Sequence, residues 1–208
     1  MSTGANPAIL KRFIKYLAIA TVVMFTIWTM KQVFVDRPPG DYYVEEGGLR
    51  LQDKLYEKAL VSFDNALKEQ PDHRGALMGR GIAFMLMGRP TEAEAEFSYL
   101  IKYLERTLPE SKDDRTGIGA LASAYANRGI LRDRTNRHEL ALEDYKKALN
   151  VDYEAVEGPG VVDRILYSAQ PSTIEKRALY LQAQFKLPVA ERVLRMPEQD
   201  DQQRMHKP

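Results

Sequence analysis

A spacing of 34 positions between matching residues limits the fold of this chain more than any other feature of its sequence. The matching pairs are Gly47 with Gly81, Ala59 with Ala93, and Phe63 with Phe97. A third copy is offset from the second by 48 residues and contributes Gly129, Ala141, Tyr145 and Ala148. Such a period is typical of stacked helical hairpins, because one hairpin cannot bury its apolar face alone.

The residues around these positions resemble the pattern of the tetratricopeptide-repeat (TPR) family. That pattern has a glycine, an alanine twelve positions later and an aromatic residue four positions after the alanine. Arg50 and Arg132 depart from it, because they stand where the family has an aromatic residue. The resemblance implies an all-α solenoid with three recognisable repeats over 41–155. In it the glycines and alanines lie where helices come closest, and the aromatics fill the space to the neighbouring helix.

The segments outside the repeat pattern are predicted to form separate regions. A polar insertion near 108–121 interrupts the repeats, and residues 156–196 form a degenerate fourth repeat or capping helices. Residues 197–208 are expected to be a disordered tail. Before the repeats lie an N-terminal tail at 1–12, a transmembrane helix at 13–35 and a short linker at 36–40.

Residues 13–35 have the length and composition of a transmembrane helix. No charged residue occurs in 16–30, and 23 helical residues span roughly 34 Å, against about 30 Å of bilayer hydrocarbon. Lys15 and Lys31 lie near the ends, where their ammonium groups reach the headgroups. A cleaved signal peptide is the alternative, but the small residues of a cleavage site are missing after Trp28. We therefore predict a single-pass protein that contacts the lipid bilayer through residues 13–35.

Basic residues flank this segment on both sides and predict its orientation. Lys11, Arg12 and Lys15 precede the apolar run, and Lys31 and Arg37 follow it. Because positively charged flanks stay inside, the tail is expected in the cytoplasm and the repeats across the membrane. In a bacterium this places the TPR domain in the periplasm at the inner membrane. A cytosol-facing receptor on an organelle membrane remains the alternative.

Charge and composition argue against several classes of function. Residues 1–37 carry five Lys/Arg and one Asp, and residues 38–208 carry 25 Lys/Arg and 28 Asp/Glu. The repeat region is thus mildly acidic, and we predict no nucleic-acid binding. Without any cysteine there is no disulfide or thiolate chemistry. The three histidines form no helical ligand pair, and no nucleotide-binding or nucleophile motif occurs. We predict no enzyme activity, no metal site and no cofactor.

The family resemblance also implies a surface that binds a protein partner. In TPR proteins the first helix of each hairpin lines a groove through positions two, five, nine and twelve of the repeat. The apolar residues at those positions are here Val44, Leu51, Met78, Ile82, Met85, Ala126 and Ile130. Val44, Gly48 and Gly79 stand where TPR proteins that capture chaperone tails have Lys or Asn, which disfavours that ligand.

The predicted ligand is therefore an apolar peptide or helix. The predicted role is a scaffold, assembly factor or accessory subunit of an envelope membrane complex. Two alternatives stay open. Met78, Ile82 and Met85 could instead pack against the insertion or the capping helices, and the repeats could self-associate and serve only structure. The oligomeric state is left open.

Overall fold

The computed structural model describes residues 7–34, 37–111, 113–157 and 173–196, and in these ranges all regular secondary structure is helical. The chain divides into two compact units, Met1–Pro39 and Gly40–Pro208. The first unit contains helix α1. We refer to the second unit as the repeat unit.

Helix α1 spans Pro7–Phe34 and begins six residues earlier than the predicted membrane segment. Proline is favoured at the start of a helix because its missing N–H is not needed there. The hydroxyl groups of Thr21 and Thr26 donate to the carbonyls of Leu17 and Val22, at 2.9 and 2.8 Å. These polar groups are thus satisfied inside the helix, as an apolar surrounding requires. Residues Pro7–Lys31 are long and apolar enough to cross a membrane, a property that signal sequences share.

The repeat unit contains three antiparallel helical hairpins in succession. They are α2 (Asp41–Gln52) with α3 (Tyr56–Glu69), α4 (Arg74–Leu86) with α5 (Pro90–Thr107), and α6 (Arg115–Arg134) with α7 (His138–Val151). Each second helix packs against its own first helix, and α3 and α5 also pack against the first helix of the next hairpin. The predicted all-α fold of TPR-type hairpins is confirmed.

The turn inside each hairpin has the same backbone geometry. Lys54, Gly88 and Asn136 have φ angles of 60°, 72° and 61° and occupy the same repeat position. In each turn the next residue donates its N–H to a carbonyl five positions earlier, at 2.8 Å: Leu55 to Arg50, Arg89 to Phe84, and Arg137 to Arg132. This is the Schellman ending of a helix, which favours glycine at the left-handed position.

The repeated glycines lie directly against the repeated aromatic rings. A Cβ atom on Gly47 or Gly81 would lie 2.4 Å from the ring of Phe63 or Phe97, and one on Gly129 would lie 2.7 Å from the ring of Tyr145. A Cβ atom on Gly79, on the next hairpin, would also lie 2.4 Å from the Phe63 ring. The repeated alanines Ala59, Ala93, Ala141 and Ala148 are fully buried. These contacts hold the hairpins closed and stack each on the next.

The segment between the second and third hairpins is shorter than the predicted insertion. A 3₁₀ turn covers Leu108–Glu110, and α6 already begins at Arg115. The side chain of Asp114 caps α6 by accepting from the N–H of Gly117 at 2.8 Å. This cap explains the early start of the helix.

The C-terminal part of the repeat unit contains α8 (Tyr153–Val156) and α9 (Ile174–Gln184), followed by a 3₁₀ turn at Val189–Glu191. Helix α9 packs against α7. The degenerate fourth repeat or capping helices were predicted over 156–196, but α9 ends at Gln184, shortly before Pro188, which disfavours further helix. Residues 158–172 of this predicted region lie outside the described residues.

Candidate partner-binding surface

The seven predicted groove residues lie on α2, α4 and α6, and they divide into a buried and a partly exposed set. Met78 and Ile82 are only 1% and 3% exposed, and Ala126 and Ile130 are fully buried. Val44, Leu51 and Met85 are partly exposed. Thus the first group contributes to the core, and contact with a partner remains a prediction for the second group.

Burial of Met78 results from the close approach of α4 and α6. The side-chain amide of Asn127 on α6 lies 3.2 Å from the sulfur of Met78. Met78, Ile82, Ala126 and Ile130 all belong to the same core cluster. The sequence left two alternatives open for Met78 and Ile82: exposure in the groove, or packing against the insertion or the capping helices. The two side chains are packed, but the contact with Met78 comes from Asn127 on α6.

An open apolar strip remains along α2 and the adjacent part of α4. We define the α2–α4 strip as Val44, Gly48, Leu51, Gly75 and Met85. A Cβ atom on Gly75 would lie 3.0 Å from Val44, so the two helices touch there, whereas a Cβ atom on Gly48 would meet nothing within 4 Å. The acidic residues Asp41 and Glu45 of α2 lie next to this strip. The space above Gly48 can receive a side chain from a ligand.

Polar contacts fix the start of α4 beside this strip. His73 accepts from the N–H of Ala76 through Nδ1 at 3.4 Å, and its Nε2 lies 2.9 Å from Asp41 on α2. Arg74 forms an ion pair with Asp114 at 2.6 Å. The hydrogen bond from the N–H of Gly117 lowers the pKa of Asp114. Partial burial opposes this shift, and the Arg74 guanidinium adds to it. The starts of α2, α4 and α6 are thereby tied together.

A network of charged residues joins α5, α6 and α7. Arg128 binds Asp144 with two hydrogen bonds of 2.9 and 2.8 Å. Arg132 bridges Asp144 and Glu94 at 2.9 Å each, and Arg137 reaches Glu94 at 2.7 Å. Burial raises the pKa of Glu94, but Arg137 and Arg132 outweigh it, so this pKa lies below its ordinary value. The network fixes the third hairpin against the second.

The two departures from the family pattern belong to such networks. Arg132 occupies an aromatic position and binds two carboxylates, as described above. Arg50 donates to Glu46 at 2.6 Å and to the hydroxyl of Ser62. In each hairpin a polar residue on the first helix thus faces one 16 positions later on the second: Glu46 with Ser62, Arg80 with Glu96, and Arg128 with Asp144. That 16-residue spacing is visible in the sequence and could have predicted these contacts.

A second buried polar cluster lies where α9 meets the third hairpin. Asp133 receives two hydrogen bonds from Arg177, one from the Tyr145 hydroxyl at 3.1 Å and one from His138 at 2.8 Å. No spacing in the sequence connects Asp133 with Arg177, which lies 44 residues later. The cluster attaches the C-terminal helix and is not open to a ligand.

Within the described residues no group of three or more His, Cys, Asp or Glu side chains is arranged to hold a metal ion. A small cleft of about 320 Å³ lies between the start of α7 and the chain after α9, lined by residues that include His138, Leu140, Phe185 and Arg192. The Arg192 guanidinium in it is already bonded to backbone carbonyls. The α2–α4 strip is therefore the better candidate for a binding surface.

Comparisons with known proteins found distant similarity to solved TPR domains. No protein-family model matches the chain, and no curated protein matches it. The TPR domain of Arabidopsis OM64 is 19% identical, with 68% of this chain and 94% of that domain covered and a TM-score of 0.46. The TPR domain of Sgt2 from Aspergillus fumigatus is 18% identical, with 77% and 93% covered and a TM-score of 0.47. Both likenesses are distant, and the TPR fold of this chain rests on its own hairpins, turns and glycine contacts.

Proposed function

We propose that this protein is a membrane-tethered TPR scaffold that binds a peptide or helix of a partner protein on the α2–α4 strip. The observation that carries the proposal is the open space above Gly48, between the partly exposed side chains of Val44 and Leu51. A helix position without a side chain, bordered by apolar residues, admits a bulky apolar group from a ligand.

The composition of the strip favours an apolar ligand of variable shape. Met85 has a flexible, polarisable side chain that adapts to different surfaces. Burial of apolar area contributes about 25 cal/mol per Å², so a few inserted side chains supply the main driving force. TPR proteins that capture chaperone tails have Lys or Asn at the groove positions that bind the terminal carboxylate. Asn127 is of that type, but it is buried against Met78, so a C-terminal carboxylate lacks this contact.

The tether proposed is α1, and the proposed location is a bacterial inner membrane with the repeat unit in the periplasm. The flanking charges of α1 support this orientation. The role would then be a scaffold, assembly factor or accessory subunit of an envelope complex. A reporter that is active only outside the cytoplasm, fused after Pro208, should be active. Activity of a cytoplasm-only reporter there would instead favour a cytosol-facing receptor.

The binding surface can be tested with a substitution that fills the open space. Gly48→Gln should not disturb the fold, because its Cβ meets no other atom. Full-length protein with this substitution, purified from detergent-solubilised membranes, should lose the partner that co-purifies with the unchanged protein. Val61→Gln, at an exposed position on α3, is the matched control and should retain that partner. Retention of the partner by Gly48→Gln contradicts the proposed surface.

A further inference from the structure

The most exposed large apolar side chain among the described residues lies in the loop after α9. Val189 is 77% exposed, whereas Met24, the most exposed apolar residue of α1, is 72% exposed. Val189 belongs to a run of four exposed apolar residues, Leu187-Pro188-Val189-Ala190, which we call the apolar loop. A contiguous exposed run of this kind is typical of a contact surface, unlike single scattered apolar residues.

Side chains on both flanks hold the apolar loop in a fixed shape. Arg192 closes its base by donating to the carbonyls of Leu187 and Phe185, at 3.0 and 3.3 Å. Beyond the loop, the backbone of Val193 donates to Gln184 at 2.8 Å and accepts from the Tyr180 hydroxyl at 2.6 Å. Because the loop is already ordered, binding through it loses little conformational entropy.

The charges around the apolar loop favour an anionic partner. From 186 to 195 the basic residues are Lys186, Arg192 and Arg195, and Glu191 is the one acidic residue. Lys186 is exposed at the start of the loop. Arg195, on the other side, donates to the carbonyls of Asp133 and Arg134 at 3.3 and 3.2 Å, so its positive charge lies against the end of α6. An apolar tip with basic flanks matches the layering of a bilayer, in which anionic headgroups cover an apolar interior.

We propose that the apolar loop inserts into the interfacial layer of a membrane that contains anionic lipids, with the Lys186 ammonium at the headgroups. Arg192 and Arg195 keep their backbone hydrogen bonds and add positive charge beside the loop. The contact is peripheral and reversible, since a few apolar side chains and basic residues bind far more weakly than a membrane-spanning helix. It weakens as salt screens the headgroup charge. The inference concerns a surface separate from the α2–α4 strip and does not depend on partner binding there.

The absence of native cysteine allows a single label at the tip of the loop. Full-length Val189→Cys, carrying an environment-sensitive fluorophore, is reconstituted into phosphatidylcholine vesicles with and without phosphatidylglycerol. We expect a blue shift, and quenching by spin-labelled lipid, only with phosphatidylglycerol, and both should decline in high salt. Lys186→Glu in the same background should reduce them. Val61→Cys, 56% exposed on α3, is the matched control and should stay in water throughout.

Three results would overturn the proposal. A label at 189 as water-exposed as the label at 61 in both vesicle types excludes insertion. Equal shielding without phosphatidylglycerol removes the role of the basic residues. Shielding in lipid-free detergent that grows with protein concentration shows that the loop contacts a second copy of the chain instead of lipid.

Discussion

Arg177 and Asp133 form a two-pronged ion pair in the interior of the repeat unit, with Nε to Oδ2 at 2.7 Å and Nη2 to Oδ1 at 2.9 Å. The two residues are 1% and 2% exposed. The same guanidinium donates to the carbonyl of Leu194 at 2.7 Å. One side chain of α9 therefore connects the end of α6 with the chain that follows α9, and these contacts hold α9 against the third hairpin.

Removal of the arginine should leave a buried carboxylate without its main partner. We expect Arg177→Met to lower the free energy of unfolding by about 3–5 kcal/mol, and the double variant Arg177→Met/Asp133→Leu to lose markedly less than the two single variants added together. Urea unfolding of all four proteins measures this coupling. Additive losses would mean that the pair does not act as a unit.

The same pair predicts how stability depends on pH. Burial raises the pKa of Asp133, but the hydrogen bonds and charge of Arg177, with His138, outweigh it, so the pKa lies below its ordinary value. The Asp133 carboxylate therefore binds a proton more readily in the unfolded chain than in the folded chain. The stabilisation is present above the unfolded pKa of about 3.9 and is lost as the pH falls through the folded value. Between about pH 5 and pH 3, Asp133→Asn should lose less stability than the unchanged protein in urea unfolding; parallel losses would contradict this assignment.

The hairpins could be predicted from the sequence because each one repeats the same local requirements. A glycine facing an aromatic ring at a constant separation, as in Gly81 with Phe97, is a periodic signal. The Arg177–Asp133 pair has no such signal, because it joins elements that are related by no repeat. Burial of Met78 and Ile82 was also undecided by the sequence. A groove position is open or closed according to the distance between neighbouring first helices, and small residues such as Ala126 allow a close approach.

Lys54 predicts a gain in stability from a single substitution. Its φ of 60° places a lysine where the equivalent turn of the second hairpin has Gly88. A residue with a Cβ atom costs roughly 1 kcal/mol or more in this conformation. Lys54→Gly should therefore raise the melting temperature, even though glycine has more freedom in the unfolded chain. Gly88→Lys is the reciprocal control and should lower it. A lower melting temperature for Lys54→Gly would show that the lysine side chain has a stabilising contact that outweighs the strain.

The two core clusters predict that the repeat unit folds without α1. Their members all lie between Tyr43 and Leu194. A protein of residues 38–208 should be soluble and mostly helical by circular dichroism, and it should not sediment with membranes in high salt. The full-length chain should sediment with them under the same conditions. Salt-resistant sedimentation of residues 38–208 would contradict a single N-terminal anchor.

Gly47 and Gly48 are neighbours on α2, yet the same substitution should change stability in opposite directions. A Cβ atom on Gly47 would lie 2.4 Å from the Phe63 ring, and Gly79 of the next hairpin also lies against this ring. Gly47→Ala should therefore displace a buried ring and cost about 1–3 kcal/mol. Around Gly48 the space is open, so Gly48→Ala should only reduce the freedom of the unfolded chain and add about 0.5–1 kcal/mol.

Thermal and urea unfolding of the two alanine variants, beside the unchanged repeat unit, measure this difference. The comparison also separates the two surfaces of α2, because Gly47 faces the hairpin interior and Gly48 lies in the α2–α4 strip. If Gly48→Ala destabilised the protein as much as Gly47→Ala, the space above Gly48 would be occupied in the folded chain. The strip would then be part of the core, as Met78 and Ile82 are, and a partner could not insert a side chain there.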